Sequence, residues 1–166
     1  MIRAMPNDLS VAAGLGALLK ERKQTVAVAE SSAGGLISAA LLAVPGASAY
    51  FLGGGVIYTQ AARRGLLRVG DDAVKGIRSS TEAYAQLKAK TVRELLGATW
   101  GLAETGASGP TGNRYGDAAG HACIAVAGPV ERVITVETGD GDRERNMWAF
   151  TQAALRLLED AVRAAR

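Results

Sequence analysis

The sequence has one cysteine and one histidine, Cys123 and His121, among its 166 residues. One cysteine cannot form an internal disulfide framework, and the shortage of both residue types excludes multi-cysteine and multi-histidine metal sites. A Ser-His-Asp arrangement is also excluded unless His121 is its base. We therefore expect no metal and no other cofactor, and a chain suited to a reducing compartment such as the cytoplasm.

Aromatic residues make up only 5% of the chain, and Lys plus Arg exceed Asp plus Glu by only 19 to 16. So few stacking side chains and a net charge of +3 argue against nucleic-acid binding. No apolar run approaches the roughly 20 residues that a membrane span needs, and the first residues lack a basic segment followed by an apolar one. We expect a chain that is neither exported nor embedded in a membrane by its own signals.

The composition that is present, 48% hydrophobic and 21% charged, is typical of one globular domain. We assign residues 1–166 to a single domain in which residues 1–6 are a disordered tail. Apolar residues recur at helical spacing in four segments, namely 9–19, 36–44, 84–95 and 147–161, and a short helix is expected at 63–67. Strand-like segments are 25–29, 49–58, 99–104, 121–127 and 131–137.

The order of these segments predicts an α/β fold with a mixed sheet and helices on both faces. The last two strands are separated by residues 127–130, which predicts an antiparallel hairpin. Ser79 and Glu82 have the spacing of a capping box before the third long helix, and Asp142 can cap the last one.

Three loops of small residues interrupt this pattern, at 30–35, 45–48 and 105–112. We interpret each as lying between a strand and the next element, where open α/β sheets bind ligands. The first leaves a strand and opens a helix, so its backbone N–H groups can face an anion, although a serine cap with a glycine turn explains the same residues. Glu30 at the end of a buried strand favours a functional or network role. The other two loops match no Walker or dinucleotide motif, and either one alone is more often a turn without a ligand.

Tyr58 stands at the end of a predicted strand, and Arg63 and Arg64 follow one turn into the next helix. Arginines at this position can clamp a phosphate group. They can equally form a solvated helix face.

The order and spacing of the three loops resemble the carboxy-terminal domain of the CinA competence/damage-inducible family, which includes bacterial nicotinamide mononucleotide (NMN) deamidases. The family's usual A-E-S-C-T-G-G is similar to residues 29–35, and its G-I-A-G-P segment is similar to residues 106–110. Segments 44–49 and 55–59 and the late Gly-Asp-Arg at 141–143 complete the resemblance, which spans nearly the whole chain.

The resemblance implies a three-layer α/β/α sandwich, a homodimer, and metal-free hydrolysis of the NMN carboxamide to nicotinate mononucleotide and ammonia. It implies that Ser48 is the hydroxyl nearest the chemistry, that Tyr58 is a hydrogen-bonding or proton-transfer partner, and that Ser31 and Arg63 complete the catalytic set. The residues that it assigns to substrate binding are Glu30, Ser32, Gly34, Gly35, Thr105, Gly106, Ala107, Ser108, Gly109 and Arg143.

The sequence departs from the family pattern at charged positions. Arg63 stands where the family usually has a lysine, and arginine, unlike a desolvated lysine, cannot serve as a base. Asp117 stands in place of another lysine, and Met147 in place of an arginine. Three readings stay open: an amidohydrolase with a rearranged base (Tyr58, His121 or a water held by Glu30), a nucleotide- or partner-binding module that has lost turnover, and direct nucleic-acid binding.

Overall fold

The computed structural model describes residues 7–166, which form a five-stranded sheet, five α-helices and three short 3-10 helices. The predicted tail, residues 1–6, lies outside the described residues. The α-helices are α1 (Ala13–Arg22), α2 (Leu36–Leu42), α3 (Gln60–Gly65), α4 (Glu82–Leu96) and α5 (Arg143–Ala164). The strands are β1 (Val26–Glu30), β2 (Phe51–Val56), β3 (Trp100–Ala107), β4 (His121–Ala127) and β5 (Arg132–Glu137). The 3-10 helices are Leu9–Ala12, Ala47–Ala49 and Asp72–Val74.

The strand order in the sheet is β2-β1-β3-β4-β5. Strands β2, β1 and β3 are parallel, whereas β4 is antiparallel to both β3 and β5. Strands β1, β2, β3 and β5 therefore end at one edge of the sheet, where β4 begins. We call this the carboxyl edge, and the opposite one the amino edge.

Helices cover both faces of the sheet, as the sequence pattern predicts. Alternate residues of β1, such as Val26 and Val28, enter a core that they share with α1, α2 and α5. Their neighbours Ala27 and Ala29 enter a second core formed mainly with α4. Burial of every residue of β1 on both faces explains why its sequence is a continuous apolar run up to Glu30.

Local signals fix most element ends, with one correction. Asp142 accepts a hydrogen bond from the N–H of Arg145 and caps α5, and β4 and β5 form the expected antiparallel hairpin. The cap of α4 is Thr81, which accepts from the N–H of Tyr84, so the capping box predicted at Ser79 is wrong. Thr81 directly precedes the helix, whereas Ser79 is two residues too early to reach its free N–H groups.

Candidate functional site

A cavity of about 590 Å³ opens at the carboxyl edge. Its size lies within the usual range for sites that bind small molecules. It is bounded by the end of β1, the segment after β2, helix α3, the connection into α4, the end of β3, and the loop before β4. The lining residues are Ser31, Ile57, Tyr58, Thr59, Gln60, Arg63, Val74, Ile77, Arg78, Ser79, Ser80, Tyr84, Thr105, Gly106, Asn113, Arg114 and Tyr115.

The first predicted loop contributes Ser31, and Glu104 of β3 holds it in place. One carboxylate oxygen of Glu104 accepts the N–H groups of Ser31 and Ala33, both at 2.9 Å, and the other accepts the hydroxyl of Ser32. Glu104 is fully buried. Because a buried carboxylate with three donors is strongly fixed, the turn that carries Ser31 into the cavity is rigid.

Glu30 is part of the helix rather than of the cavity. Its carboxylate accepts the N–H groups of Gly35, Ile37 and Ser38 and the hydroxyl of Ser38, at 2.7 to 3.1 Å. These are donors at the amino end of α2, where helices leave N–H groups free. Burial raises the pKa of Glu30, and the hydrogen bonds oppose that rise. Glu30, for which a functional or network role was expected, thus belongs to a hydrogen-bond network, and its side chain does not line the cavity.

Ser32, Gly34 and Gly35 support the same turn without lining the cavity. The hydroxyl of Ser32 is buried on Glu104, and both glycines have positive φ angles of 69° and 100°. A Cβ atom on Gly34 would lie 2.6 Å from the terminal methyl of Met147. Met147, which stands where the family often has an arginine, therefore packs on the back of this turn.

The third predicted loop reaches the cavity only through Thr105 and Gly106. Ala107, Ser108 and Gly109 do not line it. The carbonyl of Ser108 accepts from the side-chain amide of Asn146, and that of Gly109 accepts from Arg143. The backbone of this loop is thus anchored to the start of α5, away from the ligand space.

Tyr58 lines the cavity, with 62% of the residue exposed. Its hydroxyl accepts a hydrogen bond from Arg143 at 3.3 Å. Arg143 therefore links Tyr58 to the Gly109 loop and acts behind the lining residues rather than among them. The predicted proximity of Tyr58, Ser31 and Thr105 is confirmed by their common cavity.

Arg63 lines the cavity, but the loop that follows α3 occupies much of its guanidinium. One terminal nitrogen donates to the carbonyls of Val69 and Gly70 at 2.7 and 2.8 Å, and the other donates to Asp71 at 2.6 Å. Asp71 also binds Arg64, and the two guanidinium groups, Arg64 first, hold the pKa of the Asp71 carboxyl at about 2. Arg63 therefore anchors residues 69–71, which do not line the cavity themselves.

Ser48 lies at the amino edge, so the structure corrects its placement beside the other predicted residues. It belongs to the 3-10 helix that precedes β2, and the first residue of β2 pairs with Val26 at the start of β1. Ser31 follows the other end of β1. At about 3.3 Å per strand residue, the two serines are separated by roughly 16 Å along the sheet. Within one chain, Ser48 therefore does not line the cavity that Ser31 lines.

Lys88 of α4 was not predicted to have a role near the site. It is buried, and its ammonium donates to the carbonyl of Glu104 at 2.9 Å. Burial lowers the pKa of Lys88 to about 8, against the opposing attraction of Glu104 and Glu30. Its position four residues after Tyr84, on the apolar face of the helix, is the signal that could have identified it, because a charge there needs a partner.

The cavity is electropositive. Within the described residues its lining includes three arginines and no Asp, Glu, His, Lys or Cys. Asp71 is shared by Arg63 and Arg64, Asp117 pairs with Arg78, and Arg114 has no carboxylate partner in the described part of the chain. The described lining thus has three arginines, and Asp71 and Asp117 pair with two of them, Arg63 and Arg78. Such a site favours an anionic ligand.

Two further observations concern residues 7–166 as a whole. In this range no group of three or more His, Cys, Asp and Glu side chains is placed to hold a metal ion. None of the helices in the same range is long and apolar enough to cross a membrane.

The structure is a three-layer α/β sandwich with a cavity at the carboxyl edge. The profile of the CinA C-terminal domain matches residues 8–162, and the chain belongs to this family. A CinA-like protein of Synechocystis is 36% identical over 150 residues, covering 90% of this chain and 36% of the relative. One from Sulfurihydrogenibium is 35% identical over 152 residues, covering 92% and 38%. The chain thus spans little more than a third of the length of these relatives.

Solved structures of the superfamily share the fold. The competence damage-inducible protein A from Klebsiella pneumoniae has a TM-score of 0.88 at 25% identity, covering 95% of this chain and 98% of that one. The competence/damage inducible protein CihA from Agrobacterium tumefaciens has a TM-score of 0.84 at 27% identity, covering 98% and 99%. The α/β fold class and the CinA resemblance expected from the sequence are confirmed.

Proposed function

We propose that this domain binds a pyridine nucleotide such as NMN in the carboxyl-edge cavity and hydrolyses its carboxamide to a carboxylate and ammonia. The observation that carries the proposal is the convergence of Ser31, Tyr58 and Thr105 on one electropositive cavity. An amide hydrolase needs an activated oxygen, donors for the oxyanion, and a grip on the rest of the substrate. The cavity offers hydroxyl groups for the first two tasks and arginines for the third.

Ser31 is the best-placed nucleophile in this proposal. Glu104 fixes the backbone of its turn through two hydrogen bonds of 2.9 Å, from the N–H groups of Ser31 and Ala33, and Ser31 lines the cavity. Tyr58 is held by Arg143 and can exchange a hydrogen bond with the reacting group. The Ser31 oxygen attacks the carboxamide carbon, the C–N bond breaks, and the hydroxyl proton of Ser31 passes to the departing nitrogen, which leaves as ammonia. Water then hydrolyses the acyl ester, which releases the acid and restores the Ser31 hydroxyl.

A second function is favoured by the same lining. Within residues 7–166, no carboxylate, imidazole, amine or thiol lines the cavity, and Arg63 replaces the family lysine. A serine nucleophile needs a proton acceptor, and arginine does not supply one near neutral pH. The alternative is therefore a module that binds the nucleotide and turns it over slowly or not at all.

Ammonia release and calorimetry with NMN separate the two functions. The amidohydrolase predicts ammonia release that Ser31→Ala abolishes and that Ser48→Ala leaves intact, because Ser48 lies at the amino edge. The binding module predicts heat of binding without ammonia. Neither heat nor ammonia would contradict both, and loss of activity in Ser48→Ala with full activity in Ser31→Ala would reverse our choice of nucleophile.

We also infer a homodimer and a cytoplasmic location. Support for the dimer comes from the edge strand β2, where an apolar groove of about 300 Å³ is bordered by the exposed Leu52, Leu66, Leu95 and Leu96. Apolar surface beside an edge strand, whose outer side has no neighbouring strand, favours association. Light scattering coupled to size-exclusion chromatography measures the mass, and a monomer at micromolar concentration would contradict the dimer.

A further inference from the structure

The loop before β4 contributes Asn113, Arg114 and Tyr115 to the lining of the cavity, and none of them was predicted as a site residue. The side-chain oxygen of Asn113 accepts the N–H groups of Tyr115 and Asp117 at 3.0 and 3.1 Å. Its amide nitrogen donates to the carboxylate of Asp117 at 2.8 Å. These bonds fix the backbone of residues 113–117, and with it the backbone position of Arg114, which lies between Asn113 and Tyr115.

Two guanidinium groups lie close to the ring of Tyr115. The central carbons of Arg78 and Arg114 are both 5.0 Å from the ring centre, and Arg114 donates to the Tyr115 hydroxyl at 2.9 Å. Contact with an aromatic ring attracts and orients each cation. Both arginines therefore contact the same ring, and both line the cavity.

The two arginines differ in how their charge is matched. Arg78 makes a two-pronged pair with Asp117, with donor–acceptor distances of 2.8 and 3.1 Å. The Arg78 hydrogen bond is the largest cause that holds the pKa of Asp117 at about 2, so the carboxylate stays ionised at neutral pH. Arg114 has no such partner among residues 7–166, and its charge is free for a ligand.

We propose that Arg114, placed by Tyr115 and Asn113, forms a subsite for the phosphate group of a nucleoside monophosphate. The guanidinium fork matches the oxygens of a phosphate group. A described lining with three arginines and no carboxylate side chain suits a phosphate group. The inference rests on the proposed function, because it assigns another part of the same ligand.

Calorimetry with four probes tests this subsite: NMN, nicotinamide riboside, AMP and inorganic phosphate. In Arg114→Gln we expect NMN and AMP to bind at least tenfold more weakly, whereas the riboside, which lacks phosphate, is unaffected. Arg114→Lys, which keeps the charge but loses the fork, should fall between. The matched control is Arg132→Gln, which removes the same charge from an exposed residue at the start of β5, at the amino edge and away from the cavity.

The outcomes separate this inference from the proposed function. If AMP binds through Arg114 but NMN does not bind, the phosphate subsite holds and the nicotinamide function fails. If NMN binds equally well to wild type, Arg114→Gln and Arg132→Gln, the subsite is overturned while the function stands. Equal weakening of NMN and riboside by Arg114→Gln, or no binding of any phosphorylated probe by the wild type, would also overturn the subsite.

Discussion

Replacement of Glu104 tests the network that holds Ser31. In Glu104→Ala, the N–H groups of Ser31 and Ala33 lose their shared acceptor. An unsatisfied donor costs about 1–3 kcal/mol, so we expect a loss of about 4 kcal/mol in the free energy of unfolding. Glu104→Gln keeps an oxygen for both donors and exchanges charge-assisted bonds for neutral ones, so it should cost only about 1–2 kcal/mol.

Replacement of Lys88, which interacts with Glu104, tests the same network through the pH dependence of stability. Its pKa of about 8 in the folded protein is below its ordinary value of 10.5, so between these pH values the unfolded chain holds more protons. Stability should therefore rise with pH through this window in the wild type, and Lys88→Met should remove the rise. In the double variant Glu104→Gln/Lys88→Met, the combined loss should be smaller than the sum of the two single losses, because neither charge is then left buried alone.

Urea denaturation followed by tryptophan fluorescence measures these changes, with the exposed Glu94→Gln as the control for loss of a negative charge on the protein. Glu94→Gln should change stability by less than about 0.5 kcal/mol. Equal losses in Glu104→Gln and Glu104→Ala, or strict additivity with Lys88→Met, would refute the reasoning.

Four further variants test other parts of the protein. Arg63→Lys should lower the free energy of unfolding by about 1–2 kcal/mol, because it loses hydrogen bonds to the loop of residues 69–71. If the cavity lacks a lysine base, the same variant should release ammonia faster than the wild type. An unchanged rate would place the base elsewhere. Burial lowers the pKa of His121, but its bonds to Glu137 and a backbone carbonyl outweigh that effect and raise it, so its contribution is fully present below about pH 6.5 and lost as pH rises through the folded pKa. Thermal melts from pH 5 to 9 should show a smaller fall in His121→Gln, and parallel curves would contradict this. Gly101→Ala should destabilise by about 3 kcal/mol, because its Cβ would lie 2.0 Å from a carbonyl of α4, whereas Gly14→Ala, with open space and a helical position, should stabilise by about 0.5–1 kcal/mol; two equal denaturation midpoints would argue against both.

The layered fold was predictable because burial leaves a direct trace in the sequence. Strands buried on both faces, such as β1 and β4, have continuous apolar runs, and α4 and α5 have apolar positions every three or four residues. Short-range caps are similarly local, which is why Asp142 was identified. The cap of α4 was misassigned because Ser79 and Thr81 both precede Glu82 and the spacing alone favoured the wrong hydroxyl.

The site was predictable in part, because the edge of the sheet at which a loop lies depends on whether the loop follows or precedes its strand. Loops that follow parallel strands share an edge, so Ser31 and Tyr58 converge as expected. Ser48 precedes β2 instead of following it, which places it at the amino edge, and the order of predicted elements already contained that information. Arg78 and Arg114 could not be predicted to contact the same ring, because Tyr115 belongs to an irregular loop without periodicity.

A crystal structure of the protein with NMN tests the central claim most directly, since it shows where the nucleotide sits. The account predicts density in the carboxyl-edge cavity, with the carboxamide within hydrogen-bond distance of Ser31 or Tyr58 and the phosphate on Arg114. Nucleotide bound at the amino edge beside Ser48, or in the apolar groove along β2, would contradict it.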